Sequence, residues 1–182
     1  MDTAFPQFIP LTSSQDAHTP GPGMTVYIDA APYPEVKGAH DPAAVAILKE
    51  DYAGAHGELT GILQYIFQQG RIEDNEALSN ALLQIAIVEM THLDMLGDAI
   101  VALGGNPSFD DGKYYWDASK VNYATGLKDM LAANIASEET AIADYERHAA
   151  LMKNESVKAL LERIIKDERL HLRFFRELAA AL

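Results

Sequence analysis

The chain has 182 residues and a formal net charge of −13, and hydrophobic residues make up 48% of it. This acidic excess argues against binding to nucleic acid or to an anionic membrane, and no apolar run approaches the roughly 20 residues that cross a bilayer. The chain contains no cysteine, which excludes disulfides and cysteine-ligated iron within it, and the lack of a visible secretory signal predicts a cytoplasmic protein.

Residues 1–41 are rich in proline and glycine, which interrupt any long helical period. We predict that they form an N-terminal arm, separate from a helical domain at residues 42–182. A short extended piece is predicted at Val26-Tyr27-Ile28. Such an arm is either mobile or lies across a neighbour, and its apolar and aromatic residues favour docking: Phe5, Phe8, Ile9, Tyr27 and Tyr33.

The first two predicted helices form a hairpin. Asp41 is a capping residue followed by a proline at the first helical position, and the helix is predicted to continue without a break through Ala43 to Gln69. The second helix is predicted to run from Asn75 to Leu103 with Asp74 as its cap. The short loop between the two helices makes them antiparallel neighbours.

A second hairpin is predicted at the C-terminal end of the chain. Its helices cover about Thr125 to Met152 and Glu155 to Ala181, and Asn154 is a plausible cap for the latter. Residues 106–124 show no helical period and are long enough to travel the length of a bundle. The predicted fold is therefore all-α, a four-helix bundle of two antiparallel hairpins joined by a long crossover.

Two pairs of residues repeat the same helical spacing. Glu89-x-x-His92 in the second predicted helix and Glu168-x-x-His171 in the fourth each place a carboxylate and an imidazole on one face. Apolar residues surround both pairs, and burying such groups is costly unless something pairs with them. Two such pairs on two helices are typical of a site for two metal ions in a four-helix bundle.

An isolated glutamate precedes each pair at nearly the same interval. Glu58 precedes the first pair and Glu138 the second, and the runs 58–65 and 138–145 share Glu, Thr, Ile and Tyr at matching offsets. Glu139 is an alternative ligand, although the register of the repeat favours Glu138. The predicted catalytic and metal-ligating set is Glu58, Glu89, His92, Glu138, Glu168 and His171.

The ligand types predict the metal. Four carboxylates and two imidazoles balance two divalent ions, and hard oxygen with imidazole suits iron or manganese. We expect Glu89 and Glu168 to bridge the ions, and Glu58 and Glu138 to be terminal ligands.

Several other residues have two readings. Tyr65 and Tyr145 lie about two turns from their glutamates on the same face, so they are core aromatics or their hydroxyls orient a ligand carboxylate. Asp167 either holds the imidazole of His171 or is exposed. The remaining histidines are predicted to be ordinary surface residues: His18, His40, His56 and His148.

With these motifs, residues 42–182 resemble the ferritin-like superfamily of di-iron and di-manganese carboxylate proteins. The resemblance implies two iron or two manganese ions per chain and a reaction with hydrogen peroxide or O₂. The 58–65 and 138–145 runs look like those of small manganese-catalase proteins. Rubrerythrins share the two-hairpin site, but they normally have a second glutamate where this chain has Ala141, and a rubredoxin domain. The run from Glu89 to His92 is similar to bacterioferritin, which makes Met90 a candidate haem ligand, although packing is its simplest role.

The predicted function is that of a catalase- or peroxidase-type oxidoreductase, acting as a homodimer. A peroxidase would need a separate electron-donor protein, whereas dismutation of peroxide would not. The alternative is a bacterioferritin-like ferroxidase that binds and stores iron, against which we note that no fifth helix follows the fourth. A vestigial site in a structural bundle and an oxidase of organic substrates also stay open.

Overall fold

The structure is a computed structural model and describes residues 27–182. This part of the chain forms five helices: α1 (Pro42–Ala53), α2 (Glu58–Gln69), α3 (Glu76–Ala102), α4 (Leu127–Leu151) and α5 (Glu155–Ala180). A 3₁₀ turn covers Ala118–Lys120, and one isolated antiparallel bridge joins Asp110 to Tyr115. No strand occurs among the described residues, and the predicted all-α class is confirmed.

Helices α2, α3, α4 and α5 form the bundle and pack as two hairpins. Helix α2 packs along α3 and α4 packs along α5, while α3 also contacts α5 across the bundle. Helix α1 contacts α2, α3 and α4.

Side-chain caps begin α1, α3 and α5, and one of the three differs from prediction. Asp41 caps α1 ahead of Pro42, and Asn154 caps α5, both as predicted. Helix α3 is capped by Asn75, whose side chain accepts a hydrogen bond from a backbone amide three residues on. The prediction of Asp74 as this cap is therefore wrong by one residue.

The prediction of a continuous first helix is also wrong. The chain leaves the helix at Gly54 and begins a new one at Glu58. A Cβ atom at Gly54 would lie 2.3 Å from a carbonyl oxygen of the preceding turn, and one at Gly57 would lie 2.4 Å from another. Only glycine permits such close approach of two backbone segments. Thr60 donates its hydroxyl to the Gly54 carbonyl at 2.9 Å, which satisfies an acceptor freed by the break.

The crossover runs along the outside of the first hairpin. Near its start, Asp110 pairs with Lys49 of α1 at 2.6 Å. Near its end, the ring of Tyr123 packs edge-on against Phe67 in the last turn of α2, with centroids 4.9 Å apart. The connection thus travels from one end of the bundle to the other, as its length predicts.

The apolar core is divided into two clusters. In α3 the members of one cluster precede Glu89 and those of the other follow His92, and α5 shows the same arrangement around Glu168 and His171. A polar layer therefore separates the clusters near the middle of the bundle. No helix within residues 27–182 is long and apolar enough to cross a membrane.

The described part of the N-terminal arm packs on α5. The ring of Tyr27 meets Phe174 edge-on with centroids 5.2 Å apart, and the guanidinium of Arg163 lies 4.1 Å from the centre of the Tyr33 ring. Tyr27 and Ile28 form a turn and a bend where an extended piece was predicted. Phe5, Phe8 and Ile9 of the docking prediction, and Val26 of the predicted extended piece, lie outside the described residues.

Substituting Gly57→Ala tests the break between α1 and α2. Because the new methyl group would meet backbone atoms that cannot move independently, we expect the free energy of unfolding to fall by about 1–3 kcal/mol. Urea denaturation of the metal-free protein measures this. Gly61→Ala is the matched control, because its Cβ would meet nothing closer than 3.8 Å and alanine favours the helix. Equal stability of the two variants would contradict the close approach.

Candidate metal centre

Each of the four bundle helices contributes to one buried layer. Helices α2 and α4 each supply one glutamate, and α3 and α5 each supply a Glu-x-x-His pair. The structure brings all six predicted ligands together, each at most 5% exposed: Glu58, Glu89, His92, Glu138, Glu168 and His171.

These side chains form two overlapping groups. Within each group, one ligand atom from every residue lies within 4.8 Å of all the others. One group contains Glu58 and His92, the other contains Glu138 and His171, and both contain Glu89 and Glu168. Two shared carboxylates with one terminal glutamate and one histidine on either side match what a pair of bridged ions needs.

The oxygen atoms of the shared carboxylates divide evenly between the histidines. Glu89 places Oε2 at 2.9 Å from His92 Nδ1 and Oε1 at 3.1 Å from His171 Nδ1. Glu168 places Oε1 at 3.1 Å and Oε2 at 3.3 Å from the same two nitrogens. Each carboxylate therefore presents one oxygen to each side, which is the geometry of a bridging ligand.

The electrostatics of the layer call for positive charge. Burial raises the pKa of Glu58 and Glu138 well above the ordinary value, and the neighbouring carboxylates raise it further. Glu168 Oε1 and His171 Nδ1 each lie 3.1 Å from an atom of another ligand, but within the described chain neither has a partner in hydrogen-bonding geometry. Two divalent cations would neutralise four carboxylates and supply partners for these atoms, so the residues present fit a pair of metal ions.

Two tyrosines fix the terminal glutamates, and they do so crosswise. The hydroxyl of Tyr65 on α2 donates to Glu138 on α4, and that of Tyr145 on α4 donates to Glu58 on α2. Both tyrosines are also core aromatics, each at most 2% exposed. The two alternatives left open by the sequence are therefore both present in the structure.

The histidines are held by two different groups. His92 Nε2 lies 3.1 Å from Asp167 Oδ2, and His171 Nε2 lies 2.9 Å from the Tyr27 carbonyl oxygen. In both cases the held nitrogen faces away from the glutamates and Nδ1 faces them. This arrangement fixes the orientation of a metal-binding imidazole. Asp167 thus contacts His92 and not His171, and it is buried, contrary to both of its predicted roles.

Asp167 is itself tightly held. It accepts hydrogen bonds from the Asp29 amide at 2.6 Å and from the Tyr33 hydroxyl, and its Oδ2 lies 2.8 Å from a guanidinium nitrogen of Arg163. Burial disfavours its charged form, but His92, the Asp29 amide and the Tyr33 hydroxyl bring the pKa of Asp167 below the ordinary value. A charged Asp167 stabilises an Nε2–H on His92, which leaves Nδ1 free to bind a cation.

Other predicted residues lie away from the layer. Glu139 is exposed and pairs with Arg176 at 2.6 Å, so the structure brings Glu138 to the cluster as the register of the repeat predicted. Met90 is 43% exposed on the outer side of α3. His40 and His56 are exposed as predicted, and His18 lies outside the described residues.

The surface prediction for His148 is wrong. It is 1% exposed and its Nδ1 lies 2.6 Å from Asp51 Oδ1. Asp51 lies in α1 and His148 in α4, and no sequence pattern linked the two residues.

Sequence reasoning also missed a buried amide network beside the layer. Asn134, one turn before Glu138, bonds Gln64 at 3.0 Å and Gln68 at 2.7 and 2.9 Å. All three residues are buried. The signal was a pair of glutamines at helical spacing in α2, Gln64 and Gln68, and an asparagine one turn before Glu138 in α4.

Comparisons with known proteins agree with this geometry. Residues 53–179 match the family model for rubrerythrin, which covers more than half of the chain, and the chain belongs to the rubrerythrin family. It is 24% identical over 159 residues to a probable manganese catalase of Clostridium acetobutylicum, covering 75% of this chain and 70% of that protein.

Two solved structures are similar as well. The manganese catalase KatB from Anabaena is 29% identical with a TM-score of 0.77, covering 84% of this chain and 78% of that one. The bacterioferritin of Rhodobacter capsulatus is 24% identical with a TM-score of 0.68, covering 80% of this chain and 87% of that one. At this identity the similarity shows the fold alone. The predicted ferritin-like fold is confirmed.

Removing the hydroxyl of a tyrosine tests its role beside the cluster. In Tyr65→Phe, Glu138 loses the donor that orients it, so we expect manganese affinity to fall by about 10–100-fold. Equilibrium dialysis measures this. Tyr123→Phe is the control, because its hydroxyl bonds the Ala118 carbonyl outside the layer. Unchanged affinity in Tyr65→Phe would contradict the role.

Chelation tests whether the layer depends on cations. A ligand at about 100 times its dissociation constant stabilises the folded state by about 2.7 kcal/mol. We therefore expect a chelator to lower the melting temperature of the metal-loaded protein, as measured by scanning calorimetry. The chelator should have no effect on Glu89→Gln, and an equal effect on both proteins would count against the centre.

Proposed function

We propose that this chain is an oxidoreductase that binds two manganese ions and dismutates hydrogen peroxide to water and dioxygen. The observation that carries the proposal is the pair of ligand groups sharing Glu89 and Glu168. The similarity to two manganese catalases supports the choice of manganese over iron.

The six side chains of the layer would hold the ions. Glu89 and Glu168 would bridge them, Glu58 and His92 would complete one side, and Glu138 and His171 the other. Two ions held in this way would store two electrons between the half-reactions. The residues provide orientation, because Tyr65, Tyr145, Asp167 and the Tyr27 carbonyl each fix one ligand.

Dismutation is balanced without another reactant. One peroxide gives up two electrons and two protons and becomes dioxygen, and a second takes up two of each and becomes two waters. The chain has no cysteine with which to bind an iron–sulfur or rubredoxin-type electron carrier. A peroxidase would draw on a separate donor protein, whereas dismutation would not.

The alternative function is iron oxidation and storage. The exposed Met90 favours it, because the methionine that follows the bridging glutamate is the haem ligand in bacterioferritins, which the sequence resembles here. A haem shared across a homodimer would require such an outward-facing position. The homodimer itself stays a prediction.

The substitution His92→Ala tests the proposal most directly. Losing one imidazole leaves one side of the centre incomplete, so we expect both manganese content and oxygen release from peroxide to fall by at least about tenfold. Plasma mass spectrometry and an oxygen electrode measure these. His40→Ala, an exposed histidine outside the layer, is the control.

The outcomes separate the candidate functions. Two manganese ions per chain with oxygen release support dismutation. Two iron ions without oxygen release, in a very large hollow assembly, would establish storage instead. A His92→Ala protein that still binds two ions would show that the ligand assignment is wrong.

A further inference from the structure

A cavity of about 230 Å³ adjoins the layer on the side of α1 and α4. Tyr145 forms part of its wall, and the hydroxyl of this tyrosine donates to Glu58. The cavity thus lies one side chain away from the candidate metal centre. Four carboxylates and two imidazoles line it, against a single lysine: Glu50, Asp51, Asp111, Asp144, His56 and His148.

Two lining residues carry buried atoms that lack partners. His148 and Asp51 are 1% and 5% exposed, and they bond each other through Nδ1 and Oδ1 at 2.6 Å. Their other polar atoms, His148 Nε2 and Asp51 Oδ2, have no hydrogen-bond partner within the described chain. His148 Nε2 lies 3.4 Å from Glu50 Oε2, a contact too loose to satisfy it.

The arrangement matches the one that orients His92. There a carboxylate, Asp167, holds one imidazole nitrogen and the other nitrogen faces the ligand glutamates. Here Asp51 holds Nδ1 of His148, and Nε2 faces the carboxylate of Glu50. A carboxylate behind an imidazole fixes the tautomer that leaves the far nitrogen free for a metal ion.

Charge favours a cation in the same place. Burial raises the pKa of Asp51 to about 6, although the bond from His148 opposes the rise. Arg147 is the cation at the rim, 2.8 Å from Asp144 and 3.8 Å from Glu50. Its side chain is half exposed. Together with Lys113 in the wall and Lys120, which lies 3.6 Å from Asp111, it leaves the four carboxylates only partly balanced.

We propose that His148 Nε2 and the Glu50 carboxylate bind a third divalent cation, Mn²⁺ or Fe²⁺, with water completing its coordination. Asp51 is a positioning residue for His148. With two protein ligands the site would hold its ion more weakly than the six-ligand layer. The site would also load ions into the neighbouring pair. This loading role rests on the proposed function, whereas cation binding at the site does not.

Manganese chloride is the probe for the test. Equilibrium dialysis of the full chain counts the bound ions, and electron paramagnetic resonance separates an isolated Mn²⁺, with its six-line signal, from a coupled pair. We expect three ions per chain. Glu50→Gln and His148→Gln should retain the pair and lose the isolated signal, and loading of the pair should slow by about tenfold or more.

Glu146→Gln is the matched control, since this exposed glutamate on α4 pairs only with Arg169 at 2.8 Å among the described residues. It should bind three ions. Glu50 is half exposed, so its substitution keeps the test valid if His148→Gln fails to fold.

The outcomes distinguish failure of the third site from failure of the proposed function. If the wild type and Glu50→Gln both bind two ions per chain, the third site is overturned and the proposed function stands. An isolated signal that Glu50→Gln abolishes, in a chain without a coupled pair, would support the third site and overturn the proposed function. An isolated signal that survives in both variants would overturn the assignment of its ligands.

Discussion

The burial of four carboxylates and two imidazoles inside an apolar bundle is the constraint on which the rest of the structure depends. Isolated charges in such a place are costly, and they persist only with partners. The structure supplies those partners across the bundle: the Tyr65–Glu138 and Tyr145–Glu58 hydrogen bonds join α2 to α4. The same contacts that position the ligands therefore also fasten one hairpin to the other.

The two halves of the site are alike in their ligands and different in what holds the histidines. Asp167 immediately precedes Glu168, but Val88 occupies the corresponding place before Glu89. The first half therefore has no carboxylate with which to hold His171. The Tyr27 carbonyl takes that place, and the arm also contributes the Tyr33 hydroxyl that holds Asp167. The N-terminal arm therefore supplies a partner for His171 that the repeated sequence lacks.

The sequence predicted what is periodic and missed what depends on contacts between distant segments. The six ligand positions follow from a spacing that occurs twice, and caps such as Asn154 follow from local chemistry. The break before Glu58 had a local signal, two glycines three residues apart, but the apolar period continued across it. Asp167 contacts His92 of α3 and two residues of the arm, and His148 contacts Asp51 of α1. A single sequence carries no pattern that pairs such distant residues.

The burial of the site and the chemistry of the neighbouring cavity wall bear on the choice of substrate. The six ligands are almost fully buried, and the neighbouring cavity is lined mainly by charged groups. Pockets that bind organic molecules are predominantly apolar and aromatic. A carboxylate-rich wall behind Tyr145 suits cations and small polar solutes instead. Under the proposed function, this lining favours peroxide or dioxygen over an organic molecule as the substrate.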